Sequence, residues 1–146
     1  KKARNLICLF YFFYCLYLNK LFLINKFTYL LNSANDSVKR LNFDEANELI
    51  LKGAFIIDVR EESEVAQSGK VTDALHIPRG LIEFQLNPEA QNNPMGIQKD
   101  SDILVYCAAG VRSALAAKTL QDLGFENVYN LGSLSEWVSN GGKLDS

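Results

Sequence analysis

The sequence predicts an α/β domain built on a central, mostly parallel sheet with helices on both faces. "AFIIDV" at 54–59 and "ILVYC" at 103–107 are short, continuous apolar runs rich in β-branched residues, the pattern of strands covered on both sides. Around them lie segments of helical apolar spacing that end in glycine, so strand and helix alternate from residue 38 to residue 144.

The elements follow in order. "NFDEANELILKG" opens with Asn42 as N-cap and Glu45 three residues on, a capping-box pattern, and closes at Gly53. That predicts a surface helix burying Phe43, Ala46, Leu49 and Ile50. The strand "AFIIDV" comes next, then a short helix in "EESEVAQSG" ending at Gly69, then a strand from Ala74 to Ile77 stopped by Pro78. "LIEFQL" at 81–86 predicts one or two helical turns before a polar loop punctuated by Pro88, Pro94 and Gly96. After "ILVYC", the run "RSALAAKTLQDLG" predicts a helix carrying Leu115, Ala116, Leu120 and Leu123 and stopping at Gly124. "NVYNL" at 127–131 is a last strand, and "SLSEWVSNGG" a last helix with Ser133 as N-cap, Glu136 three on and Gly141 beyond its end.

The totals bound the function. A chain of 146 residues holds one domain with a real core and is too short for two ordinary ones. With 15 basic against 17 acidic residues spread along it, it has no basic stripe to neutralise a run of phosphates, which argues against nucleic acid as a partner. Cys8, Cys15 and Cys107 form no C-x-x-C pair and His76 is the single histidine, so neither a disulfide framework nor a metal site is legible, and no cofactor is expected.

Residues 1–32 are a different text, made almost wholly of Phe, Leu, Ile, Tyr, Asn and Lys, with no Gly, Pro, Val, Ser, Asp or Glu. We place a non-domain segment at 1–37 and the domain at 38–144. Lys1, Lys2 and Arg4 ahead of the apolar run Leu6 to Leu18 have the form of an export signal or anchor, although the run is too short to span a bilayer. The competing readings are a read-through or mis-assigned start, because these residue types are what AT-rich codons specify, and a structural amphipathic helix. The expected location is cytoplasmic, with export or membrane anchoring through residues 1–32 as the alternative; a membrane enters only if that segment is native.

Chemistry concentrates at "YCAAGVRSA". Cys107 ends a predicted strand, at the sheet edge where α/β folds place ligands and where the following helix offers free backbone N–H groups. A cysteine there is either core or nucleophile. Ala108 and Ala109 are small, Gly110 can adopt φ > 0, and the backbone through Val111 can curl into an anion nest above the sulfur, with Arg112 adding a fixed charge and Ser113 a hydroxyl. That setting favours thiolate, and the glycine and arginine weigh toward the nucleophile. Asp58 ends its own strand at the same edge, where it is expected to support the site by holding loop N–H groups or Arg112. Arg60 is expected to pair with Glu61 or Glu64. His76 and Trp137 read as structural residues.

These residues resemble a family. "YCAAGVRSA" is similar to the active-site loop of the rhodanese sulfurtransferases, where cysteine and arginine bracket a six-residue loop between a central strand and a helix. "FIIDVRE", "ALHIPRG" and "VYNLGSLSEW" resemble, in the same order, the family's Asp-x-Arg strand, its Ala-His-Ile-Pro segment and its closing strand, turn and tryptophan. The resemblance covers about residues 38–144 and departs at Ser133, where the family often has a second glycine. It implies a single rhodanese-like domain and a sulfurtransferase. The Cys107 thiolate would take a sulfane sulfur from thiosulfate or a persulfide and pass it to cyanide or a thiol, held by Ala108, Ala109, Gly110, Val111, Arg112 and Ser113. Partners would be a small sulfur-containing anion or thiol, or a protein sulfur donor or acceptor. Two alternatives stay open: a non-catalytic protein-interaction module, and a phosphatase or arsenate reductase on the same fold. The latter needs five residues between cysteine and arginine, and here there are four.

Overall fold

The computed structural model describes residues 25–89 and 96–145. The export, anchor and read-through readings rest mainly on residues 1–24, and part of the expected polar loop lies at 90–95; both stretches fall outside the described residues.

The elements are α1 (Lys26–Ser37), β1 (Lys39–Arg40), α2 (Phe43–Leu51), β2 (Phe55–Asp58), α3 (Glu62–Ser68), β3 (Lys70–Val71) and β4 (Leu75–His76). A 3-10 turn (Arg79–Leu81) leads into α4 (Ile82–Gln85), followed by β5 (Asp102–Cys107), α5 (Val111–Asp122), β6 (Asn127–Ser133), α6 (Leu134–Ser139) and β7 (Leu144–Asp145). Five strands form one sheet in the order β1-β6-β5-β2-β4, every pairing parallel. β3 and β7 make a separate antiparallel pair. The sheet therefore needs a crossover between neighbours, and the helices supply it.

Alternation along β5 separates two cores. Ile103, Val105 and Cys107 point to one face, where they meet Ala116, Ala117 and Leu120 of α5 and Ile82 and Leu86 around α4. Leu104 and Tyr106 point to the other, packing with Ala46 and Phe43 of α2 and Trp137 of α6. Both faces are covered, which is why β2 and β5 read as unbroken apolar runs.

The predicted helix starts are present as hydrogen bonds. Asn42 and Ser133 each close a capping box with Glu45 and Glu136. Trp137 anchors α6, its ring 4.9 Å from that of Phe43 and its Nε1–H donated to the Lys143 carbonyl at 3.2 Å.

Four elements go beyond the sequence reading. The two-residue strands β1, β3 and β7 are too short to leave a periodic signal. Helix α1 lies within the stretch expected to stand outside the domain, yet Ala34 is fully buried and Ser37 accepts a hydrogen bond from Gln121 of α5. Its Phe27, Tyr29 and Leu30 are exposed. No helix among the described residues is long and apolar enough to cross a membrane.

Candidate active site

β5 delivers Cys107 to the carboxyl edge of the sheet, and Ala108 to Gly110 turn the chain into α5. Gly110 is the N-cap of α5 at φ 83°, a left-handed conformation that side chains disfavour. A Cβ there would also sit 3.2 Å from Arg40 Nη1 and 3.4 Å from Gly132 Cα. The glycine thus serves both the turn and a close approach of the loop to β6. That strand makes room with a bulge: Val105 pairs with Asn130 but Tyr106 with Gly132, leaving Leu131 as the extra residue.

The Cys107 sulfur lies on the floor of this loop, 1% exposed and packed on the α5 face. The Gly110 N–H donates to Sγ at 3.1 Å, and Sγ lies 3.5 Å from Ser113 Oγ. Burial pushes the thiol pKa up. The Ser113 hydroxyl and the N–H groups of Ser113, Ala109 and Gly110 outweigh that, so the thiol is held below its ordinary value. Cys107 is thus core by packing, with hydrogen bonds that favour its thiolate. Ala108 and Ala109 form the exposed rim, Val111 is partly exposed, and Ser113 is buried.

Arg112 does not reach Asp58. Its Nη1 and Nη2 donate to the two carboxylate oxygens of Glu64 at 2.6 and 2.8 Å. The Arg112 hydrogen bond holds the Glu64 carboxyl down at about 2 against a smaller burial effect, and the arginine is raised in turn.

The expected partners of Asp58 and Arg60 are corrected by these contacts. Asp58, wholly buried, binds the buried Arg60 through Nε at 3.0 Å and Nη2 at 2.7 Å and accepts from the Tyr106 hydroxyl at 2.6 Å. It holds neither the loop N–H groups nor Arg112. Arg60 binds Asp58 rather than Glu61 or Glu64 because its short tether from the same strand end turns the guanidinium inward. The fork also donates to Ser68 Oγ at 2.8 Å and the Gly69 carbonyl at 2.6 Å, tying down the end of α3. Since α3 carries Glu64, Asp58 bears on the loop through Arg60, α3 and Glu64, and through Tyr106, the residue before Cys107. Burial, then the Asp58 hydrogen bond, raises the Tyr106 phenol above its ordinary pKa. His76 Nε2 donates to the Arg60 carbonyl at 2.8 Å, a structural bond.

Sequence reasoning missed Asn130. Buried on β6, its Oδ1 accepts from Ser113 Oγ at 2.8 Å and from the Gly132 N–H at 2.9 Å, and its Nδ2 donates to the Gly110 carbonyl at 3.2 Å. One amide ties the Gly110 carbonyl and the Ser113 hydroxyl at the start of α5 to β6. Asn130, set between Tyr129 and Leu131 in the interior of "NVYNL", was the available signal, since a buried amide has to be bonded.

Beside the loop opens a groove of about 560 Å³, lined by Ala108, Leu134, Val138 and Leu144 together with polar residues of α3 and α6 that include Glu64, and by Arg60. A second depression of about 470 Å³, beside Arg40, Phe43 and Trp137, includes no residue of the Cys107 loop.

Comparison with known proteins agrees with this geometry. A sulfurtransferase of Allochromatium vinosum is 34% identical over 87 residues, covering 59% of this chain and 73% of that protein. A putative mitochondrial thiosulfate sulfurtransferase of Schizosaccharomyces pombe is 36% identical over 92 residues, covering 59% of this chain and 64% of its own length. Among solved structures, a Rhodopseudomonas palustris protein of unknown function, described as a possible tyrosine phosphatase, superposes with a TM-score of 0.72 at 33% identity over 82% of this chain and 93% of its own. The polysulfide-sulfur transferase homodimer of Wolinella succinogenes superposes with a TM-score of 0.66 at 27% identity, covering 83% and 89%. The family model of the rhodanese-like domain matches residues 42–140, from the N-cap of α2 to the end of α6 and across the whole Cys107 loop; the chain belongs to the rhodanese-like family.

Proposed function

We propose that this domain is a sulfurtransferase that moves a sulfane sulfur from a donor to a nucleophilic acceptor through a persulfide on Cys107. The reading is carried by one observation: a strand-end thiol whose Sγ takes the Gly110 N–H at 3.1 Å inside a loop that ends in Arg112. The sulfurtransferases among its relatives support it.

The chemistry follows from the loop. The Cys107 thiolate attacks the outer sulfur of thiosulfate; the sulfur–sulfur bond of the donor breaks and sulfite leaves with the electron pair. The terminal sulfur of the Cys107 persulfide then lies among the loop N–H groups, which favour negative charge there. Cyanide or a thiolate attacks that terminal sulfur, and Cys107 leaves as thiolate. No general base is needed, because the nucleophile enters each half-reaction ionised. With Cys107 Sγ so deeply set, a donor has to enter the loop outer sulfur first. Ala108, Ala109, Gly110, Val111, Arg112 and Ser113 would surround it, with Asp58 acting from behind through α3.

Intact mass spectrometry tests the proposal. Thiosulfate should add one sulfur to the wild type, cyanide should remove it as thiocyanate, and Cys107→Ser should acquire none. Thiocyanate formation retained by Cys107→Ser would overturn it. The phosphatase suggestion attached to the Rhodopseudomonas neighbour meets a loop one residue short for a tetrahedral phosphate here, and substantial aryl phosphate hydrolysis would reinstate that reading.

A further inference from the structure

Resting on the sulfur-transfer reading, we infer that Glu64 sets the donor preference of this site by cancelling the charge of Arg112, turning it from dianionic thiosulfate toward monoanionic sulfane-sulfur donors that carry an apolar organic group.

The argument starts from the charges around the loop. Arg112 is the one cation in the Cys107 loop, and both arms of its fork are already donated to Glu64. A thiosulfate dianion approaching Cys107 therefore meets a neutral pair rather than a free guanidinium. Glu61 adds a further negative influence on Arg112, and the thiolate adds its own. Arg40, whose guanidinium lies against Gly110, is likewise paired, with Glu136. The remaining attraction comes from backbone N–H groups, which favour one developing charge at the outer sulfur over a second charge on the far end of the donor. Nor is Glu64 free to swing away at no cost: its Oε2 also accepts the Glu61 N–H at 3.0 Å at the start of α3.

The surface next to the loop matches the organic half of such a donor. The groove of about 560 Å³ that takes in Ala108 also takes in Leu134, Val138 and Leu144, with Ser135 and Ser139 among them, and Val138 and Leu144 are 46% and 37% exposed. An apolar substituent lying there leaves the outer sulfur pointing at Cys107. An organic thiosulfonate and an organic persulfide share this chemistry. In the first, the thiolate bonds to the outer sulfur, the sulfur–sulfur bond breaks and a sulfinate departs with the electron pair; in the second, a thiolate departs. Each step begins and ends with two negative charges.

The test compares two donors on the full chain: thiosulfate and benzenethiosulfonate, with cyanide as acceptor and thiocyanate as readout. The wild type should show the higher kcat/KM with benzenethiosulfonate. In Glu64→Gln, whose amide oxygen can still take the Glu61 N–H, the ratio of thiosulfate to benzenethiosulfonate kcat/KM should rise roughly tenfold, the size of one released charge at a partly exposed site. The rise should come mainly from a lower KM for thiosulfate, and Glu64→Ala should move the ratio the same way. A ratio unmoved in both variants, while the wild type still takes up sulfur, would overturn this inference alone. Absence of any sulfur adduct on the wild type with either donor would overturn the sulfur-transfer reading and this inference with it.

Discussion

The Ser113 hydroxyl donates its one proton to Asn130 Oδ1 at 2.8 Å, while the Cys107 sulfur lies 3.5 Å from Ser113 Oγ. A hydroxyl has a single hydrogen to give. With the thiol protonated, Cys107 donates to Ser113 and Ser113 to Asn130; once Cys107 ionises, the hydroxyl gains by turning toward the sulfur. Asn130 and the thiolate thus compete for one proton, and three buried residues from β5, α5 and β6 share the control of the nucleophile.

Ser113→Ala removes the largest of the interactions that hold the Cys107 thiol down. An acid with a lowered pKa ionises at lower pH, so wild-type Cys107 should be alkylated by iodoacetamide with a midpoint below the ~8.5 of an unperturbed thiol. In Ser113→Ala that midpoint should move up. Peptide-resolved mass spectrometry separates Cys107 from Cys8 and Cys15; an unchanged midpoint would remove Ser113 from the account.

Asn130→Asp keeps the shape but turns the Nδ2–H donor facing the Gly110 carbonyl into an acceptor and brings a negative charge next to Ser113. The charge should raise the Cys107 pKa above that of wild type. The orphaned carbonyl should cost about 1–3 kcal/mol in urea denaturation. Asn130→Asp with wild-type stability would mean that the amide is not fixing the loop.

Arg60→Leu leaves the Asp58 carboxylate buried with only Tyr106 and the residue-60 backbone N–H as donors. Breaking a buried pair from one side costs about 3–5 kcal/mol, which should appear as a lower denaturant midpoint. Tyr106→Phe orphans the Val71 N–H, which the phenol oxygen accepts at 2.9 Å, and should cost less, about 1–3 kcal/mol. Equal losses in the two variants would contradict a charge-centred network.

Glu64 carries a pH signature. Its folded-state pKa of about 2 lies below the ~4.3 of a free glutamate. For an acid depressed on folding, the unfolded chain binds the proton first as pH falls. The contribution of Glu64 to stability is therefore complete above the unfolded value and is lost as pH drops through about 2. The difference in unfolding free energy between wild type and Glu64→Gln should be constant near neutral pH and shrink across that acidic window. A difference that stays level through it would show that the Arg112 pair contributes nothing.

The elements that depend on neighbours in the chain were legible in the sequence. Capping boxes at Asn42 and Ser133, the β-branched runs of β2 and β5 and the glycine at 110 each act within a few residues, and together they specified a parallel α/β sheet with Cys107 at its carboxyl edge. The loop could be read for the same reason, since Cys107 to Ser113 are contiguous. Tertiary structure alone decided who holds whom. The sequence offered Asp58 as the partner of Arg112, and only the placement of α3 against the loop selects Glu64. Asp58 turns to Arg60 and Tyr106 because strand pairing sets β2 beside β5, and Asn130 reaches the loop because a bulge in β6 brings Gly132 against Gly110. Charge and hydrogen-bond partners are chosen by distances across the fold, over separations of 17 to 48 residues for Ser113–Asn130 and Arg112–Glu64, and local pattern carries no record of them.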